Sequence, residues 1–204
     1  MRRMERRIIF ATGNQNKMKE IHMIFADLEI PVYSMKEVGI DIDIVENGMT
    51  FEENAAIKAK AISKILPGDI VLADDSGLEI DYLDKAPGIY SARFMGEGTS
   101  YDIKNRALLD KLERVPDEKR TARFVCAVAA VFPDGTLETV RGTIEGIIGH
   151  DIAGNYGFGY DPIFYLPEYG CTTAQMEPDK KNDISHRGKA LRAMREIMKE
   201  KYIK

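Results

Sequence analysis

Residues Phe10–Ile21 read FATGNQNKMKEI. The apolar run Ile8-Ile9-Phe10-Ala11 enters this stretch as a short buried strand, and Met18, Ile21, Phe25 and Leu28 then recur at helical spacing. The polar joint Thr12-Gly13-Asn14 therefore sits at a helix N-terminus. The first N–H groups of a helix lack intrahelical acceptors and face the positive end of its dipole, so anions, phosphates above all, fit there. Gly13 lets a backbone come close to an anion, Thr12 and Asn14 add short donors, and Lys17 lies one turn in. The competing reading is an ordinary N-cap with a solvated lysine, and the turn taken alone favours it.

Outward from this joint, strands and helices alternate: a strand near Val32, a helix from Thr50, a strand over Asp69–Ala73. That order predicts an α/β fold. Thr50-Phe51-Glu52-Glu53 has the form of a capping box, and Phe51, Ala55, Ile62 and Leu66 make the apolar stripe of the helix that follows, with Lys58 off it. Arg120–Phe132, the Pro133-Asp134-Gly135 turn and Thr136–Ile148 read as a long β-hairpin, and a last helix runs from about Ser185 to Lys201. No repeat or separating linker interrupts the chain, which predicts a single domain over residues 1–204, of one piece or of two lobes sharing a sheet.

The 204 residues are 44% hydrophobic and carry a formal net charge of −4, enough for a real core and too acidic overall to attract nucleic acid or an anionic membrane. The basic start is followed by too short an apolar stretch for an export signal, and the longest apolar run, Phe124–Phe132, falls well short of the ~20 residues of a membrane helix. Cys126 and Cys171 have neither zinc nor disulfide-framework spacing, so a reducing cytoplasm is the expected compartment.

Four other stretches could carry chemistry. Leu72–Asp81, LADDSGLEID, places Asp74 and Asp75 at the end of an apolar strand, where open α/β sheets bind ligands and carboxylates suit magnesium. Adjacent strand residues face opposite sides, so only one of the two is expected to enter a site, and periodicity does not choose. An Asp-Asp-Ser-Gly turn is the competing reading. Pro87–Phe94 signals a turn. Gly154–Pro167 interleaves glycines with Tyr156, Phe158 and Tyr160, either a base-stacking surface or a loop with its aromatics in the core. Lys180–Ala190 gathers Lys181, Ser185, His186 and Arg187 at the start of the last helix, whereas charge runs such as Asp117–Arg120 read as solvated surface.

In this order the motifs Thr12-Gly13-Asn14-x-x-Lys17, Thr50-Phe51-x-Glu53-Asn54-Ala55, Ala73-Asp74-Asp75-Ser76-Gly77-Leu78, Pro87 to Arg93, Gly157-Phe158-Gly159-Tyr160-Asp161-Pro162 and Ser185-His186-Arg187 resemble those of the inosine triphosphate pyrophosphatase family, the non-canonical purine nucleoside triphosphatases (dITP/XTP diphosphatases). The resemblance implies an elongated mixed central sheet flanked by helices, with two lobes and a nucleotide cleft between them. It also implies Mg²⁺-dependent hydrolysis of ITP, dITP or XTP to the monophosphate and pyrophosphate, in a cytoplasmic homodimer. By the same carry-over Asp75 is the catalytic carboxylate and, with Glu46, a metal ligand. Thr12, Gly13, Asn14, Lys17, Lys58, Ser76 and Lys181 bind the triphosphate, and Phe158, Gly159, Tyr160 and Asp161 with His186 and Arg187 enclose the base. Lys180 could stand in for Lys181. A non-hydrolytic nucleotide sensor and a phosphatase of different bond or base preference are the rival readings.

Overall fold

The computed structural model describes residues 6–202. Seven strands form one sheet in the order β2-β1-β3-β4-β5-β6-β7: β1 Ile8–Phe10, β2 Val32–Ser34, β3 Ile70–Ile80, β4 Thr121–Val131, β5 Leu137–Ile148, β6 Phe164–Leu166 and β7 Cys171–Thr172. Strand β1 runs parallel to β2 and β3, while β6 is antiparallel to β5 and β7, so the sheet is mixed and open. The helices are α1 Gln15–Ile24, α2 Phe51–Ser63, α3 Tyr101–Lys111, α4 Pro178–Ile184 and α5 His186–Lys201. The expected α/β class and mixed sheet are borne out.

The chain divides into two compact units. The first takes the described residues up to Asp75, then Cys126–Gly142, and the chain from Arg187 onward. On one sheet face its core packs Ile8, Phe10, Ile70, Leu72, Cys126 and Val128 against Met18, Ile21 and Ile24 of α1 and Leu191, Met194 and Met198 of α5. These strand positions alternate with Ile9, Val71 and Ala73, which point to the other face and are equally buried. Burial of both faces is what a parallel strand pair demands, and it explains why these strands read as unbroken apolar runs.

The second unit, Ser76–Val125 with Thr143–His186, has its own core of Leu78, Ile80, Leu108, Leu112, Phe124, Ile148 and Phe164. Arg120 corrects the reading of its charge run as solvated surface. It is 1% exposed, and its guanidinium donates to the carbonyls of Ile148 at 2.7 Å and of Leu112 and Gly149 at 2.5 Å each. Three carbonyl dipoles satisfy the planar fork and make this cation a staple between α3 and the end of β5.

Other departures are local. Thr50 caps α2 by accepting the Glu53 N–H, but the Glu53 carboxylate reaches back one residue further than a capping box does, to the Met49 N–H at 2.6 Å. Helix α1 closes at Ile24, before the Phe25 and Leu28 of its apolar spacing, and α4 lies where the sequence offers no apolar period. The hairpin of β4 and β5 and most of the stripe of α2 stand where the pattern puts them, with Phe51, Ala55 and Ile62 buried, but the helix ends at Ser63 and leaves Leu66, the last residue of the expected stripe, beyond it and only partly buried.

Candidate active site

The joint after β1 is capped by its own side chains. Asn14 is the N-cap of α1, its Oδ1 accepting the N–H groups of Asn16 at 2.9 Å and Lys17 at 3.2 Å, while Thr12 Oγ1 accepts the Asn14 N–H at 3.1 Å. The cap reading is therefore realised, and two of the helix donors thought to attract an anion are already used. Gly13 has another meaning: a Cβ built there meets nothing within 4 Å, so the fold leaves open space beside it.

Strand β3 overturns the expectation that Asp74 and Asp75 lie at a strand end, because it runs on through both to Ile80. Opposite-face alternation holds. Asp74, 2% exposed, turns toward α1 and α5, where Lys17 Nζ lies 2.9 Å from its Oδ1 and Arg187 Nε 3.3 Å from its Oδ2. Arg187 in turn contacts Glu20 at 2.6 Å, so four alternating charges run Lys17–Asp74–Arg187–Glu20. Burial alone would raise the Asp74 carboxyl, but Lys17 and Arg187 outweigh it and hold the group well below the usual carboxylate range. Nearby Cys126 shows the opposite balance: burial, and then the Asp74 charge, outweigh Arg187 and Lys17 and push its thiol up to about 12, which removes it as a nucleophile.

Asp75 faces α2 instead. Asn54 Nδ2 donates to its Oδ2 at 3.1 Å, and Lys58 Nζ lies 3.8 Å from its Oδ1 and 3.0 Å from Glu46 Oε2. Burial raises the Asp75 carboxyl, and Lys58 and Asn54 recover only part of the shift, so its proton affinity stands above that of an ordinary aspartate. Lys58 shows the reverse balance: burial disfavours its charge, while Asp75, Asp74 and Glu46 together raise it.

Among the described residues no three His, Cys, Asp or Glu side chains cluster as a metal cage. Magnesium commonly takes one or two carboxylates and completes its shell with water and substrate phosphate. Glu46 and Asp75 fit that donor set: both are hard oxygen ligands, and one ammonium already bridges them.

The remaining sequence candidates belong to the second unit. Lys181 Nζ lies 2.6 Å from Asp161 Oδ2, both side chains being buried, and 5.3 Å from the centre of the Phe158 ring. The Phe158 N–H also donates to Asp161 Oδ2, and Thr173 Oγ1 to its Oδ1, so Asp161 organises the glycine-aromatic loop. Of the lysine pair it is Lys181 that enters this network, whereas Lys180 lies over Tyr169. The loop divides: Tyr160 is a core residue whose hydroxyl donates to the Ser91 carbonyl, and Tyr156 is exposed. Gly159 accepts an amide N–H from Asn105, and His186 stacks on Phe124 with ring centres 4.9 Å apart. Ser76, the residue after Asp75, opens this unit.

Sequence reasoning passed over Asn54, Ser91 and Asn105 as actors. Ser91 alone had a local signal, the Pro-Gly turn before it; its hydroxyl accepts the Leu78 N–H at 2.9 Å and ties that turn to β3.

Asp74→Asn is expected to destabilise the protein by ~2 kcal/mol or more, because it removes a buried charge facing two cations. The carboxyl is depressed in the folded state, so its contribution is complete above the unfolded value near 3.8 and is lost as pH falls below it. Urea unfolding from pH 7 to pH 3 checks both: the wild type should lose stability on acidification, and the variant should lose less.

A mixed open sheet whose third strand presents one carboxylate paired with two cations and a second shared by a lysine and an amide defines an α/β protein. This chain belongs to the Ham1 family, whose model matches residues 8–197. It is 47% identical over 199 residues to a protein of Clostridium perfringens named dITP/XTP pyrophosphatase, covering 95% of this chain and 98% of that one. Among solved structures, the Staphylococcus aureus Ham1 protein superposes with a TM-score of 0.86 at 40% identity, covering 96% of this chain and 99% of that one. A HAM1 protein from Coxiella burnetii gives 0.87 at 38%, with the same coverage. The family resemblance drawn from the six motifs is borne out.

Proposed function

We propose that this protein is a nucleoside triphosphate pyrophosphatase that hydrolyses ITP, dITP and XTP to the monophosphate and pyrophosphate, and so clears them from the nucleotide pool. The observation that carries the reading is the arrangement around Asp75: a carboxylate of raised proton affinity, oriented by Asn54 and sharing Lys58 with Glu46. The name borne by the Clostridium perfringens relative supports the substrate class.

In this reading the whole chain works as one functional domain. Thr12, Gly13, Asn14, Lys17, Lys58 and Ser76 hold the triphosphate, and Phe158, Gly159, Tyr160 and Asp161 with His186 hold the base. Lys181 also neutralises phosphate and Arg187 helps enclose the base, each pairing with a buried carboxylate, Asp161 and Asp74 respectively. Bound Mg²⁺, held by Glu46 and Asp75, supplies countercharge for the phosphates. Asp75 accepts a proton from the attacking water as the water oxygen bonds to phosphorus and the bond to the α–β bridging oxygen breaks. Lys17 and Lys58 neutralise charge that the acidic chain as a whole repels.

The deciding experiment incubates the protein with Mg²⁺ and ITP and identifies the products. Pyrophosphate with IMP supports the proposal; orthophosphate points to a phosphatase, and binding without turnover to a sensor. No turnover is expected in EDTA. The proposal extends, on the family resemblance, to a cytoplasmic homodimer, which light scattering checks; no helix of the described residues is long and apolar enough to cross a membrane.

Lys17→Ala is expected to raise KM for ITP about tenfold, the scale of one charge-assisted contact. The loss of stability should be smaller, since Arg187 still faces Asp74. Steady-state kinetics beside a melting curve separate the two; an unchanged KM with a lowered Tm would leave Lys17 as a counter-ion of Asp74 only.

A further inference from the structure

Asn54 occupies the fourth position of α2 and is fully buried, an expensive place for an amide of modest helix propensity. Both ends of that amide are committed. Its Oδ1 accepts the Gly48 N–H at 2.8 Å, and its Nδ2 donates to Asp75 Oδ2 at 3.1 Å. The orientation is fixed by chemistry, because Gly48 offers only a donor and an ionised Asp75 only acceptors. Gly48 is itself pressed against the amide: a Cβ there would lie 2.7 Å from Asn54 Oδ1 and 2.7 Å from Glu53 Cβ. Two residues before Gly48 stands Glu46, on a stretch without regular secondary structure.

We propose that Asn54 is a positioning residue, a two-ended clamp that fixes the rotation of the Asp75 carboxylate and ties it to the segment bearing Glu46. The inference rests on the reading of Asp75 and Glu46 given under Proposed function. A carboxylate turns easily about its last torsion, where the energy wells are broad. With Oδ2 held by Asn54, Oδ1 is left toward Lys58, and the same amide sets where the Glu46 segment meets α2. A hydrophobic side chain would fill this buried position at lower cost to stability, but it would hold neither Asp75 nor the Gly48 N–H.

The test uses Asn54→Asp, which keeps an acceptor for Gly48 but faces Asp75 with a carboxylate oxygen, together with Asn54→Ser and Gly48→Ala. Each variant is compared with the wild type in melting temperature, in kcat and KM for ITP with Mg²⁺, and in Mn²⁺ affinity. The last is read by electron paramagnetic resonance on the complex with a non-hydrolysable α,β-methylene analogue of ITP. Misplacing a reacting group by about an ångström can cost ~10²-fold, so kcat should fall by ~10- to 10²-fold with KM within about threefold of wild type. Mn²⁺ affinity should weaken about tenfold. A folded Asn54→Ser or Gly48→Ala protein with kcat within threefold of wild type, or a loss confined to KM, overturns the clamp. Unchanged Mn²⁺ affinity overturns the tie to Glu46. If the wild type releases no pyrophosphate from ITP, the proposed function fails, while the Mn²⁺ measurement, which needs no turnover, still decides whether Asn54 ties Asp75 to the Glu46 segment.

Discussion

Asp75→Asn is expected to lower kcat for ITP by ~10²–10⁴, the range for a positioned acid–base group, and to leave the protein at least as stable as the wild type. The two expectations come from one environment. Burial works against the Asp75 charge, and Lys58 and Asn54 repay only part of that cost, so an uncharged isostere removes a penalty. Lys58 keeps Glu46 at 3.0 Å, and Asn54 keeps an oxygen to donate to. Asp74→Asn should behave in the opposite way, losing stability first and activity to a lesser degree. Kinetics and urea unfolding on both variants give four numbers. If Asp74→Asn were dead and Asp75→Asn active, the two faces of β3 would have been assigned the wrong way round.

The second large effect is base choice, with kcat/KM for ITP expected to exceed that for ATP by ~10⁴. Hypoxanthine and xanthine carry a 6-oxo acceptor where adenine carries an amino donor, and a site built on donors leaves them mispaired against adenine. The donors proposed to read that edge are His186, Arg187 and the backbone N–H groups of the Gly157–Asp161 loop. Within the protein the Phe158 N–H already serves Asp161, and Arg187 turns its Nε to Asp74 and its Nη1 to Glu20. The measurement is kcat/KM for ITP, XTP, GTP and ATP at one Mg²⁺ concentration. Comparable values for ITP and ATP would sink the pool-clearing role, and GTP, which shares the 6-oxo group, isolates the effect of a 2-amino substituent.

What the sequence made legible was local. Strand β1, the joint and α1 follow from a change of period along Ile8–Ile24, and the β4–β5 hairpin from two long strand-like runs, the first almost wholly apolar, around a Pro-Asp-Gly turn. The misreadings share a cause: polar residues neutralised by partners distant in the chain. Asp74-Asp75-Ser76-Gly77 looks like a turn because nothing nearby can satisfy two carboxylates, yet Lys17 lies 57 positions away and Arg187 113 positions away. Arg120 looked solvated because its acceptors include carbonyls 28 and 29 positions away. Asn54 stood in the second motif, but nothing local revealed its role, since its meaning lies in Gly48 and Asp75 together. The six motifs did identify the family, but an ordered set of matches does not say which carboxylate faces which helix.

The back-to-back placement of Asp74 and Asp75 makes the register of β3 a chemical constraint. Its parallel pairing with β1 sets Ile8 beside Ile70 and Phe10 beside Leu72. A slip of one residue would exchange every side chain between the faces. Asp75 would then turn toward Lys17 and Arg187 and be silenced as a base, while Asp74 would turn toward Asn54 and Lys58. A single-residue insertion between Leu72 and Asp74 should therefore be more damaging than its effect on the apolar core alone suggests, because it exchanges the counter-ion carboxylate for the one proposed as the base.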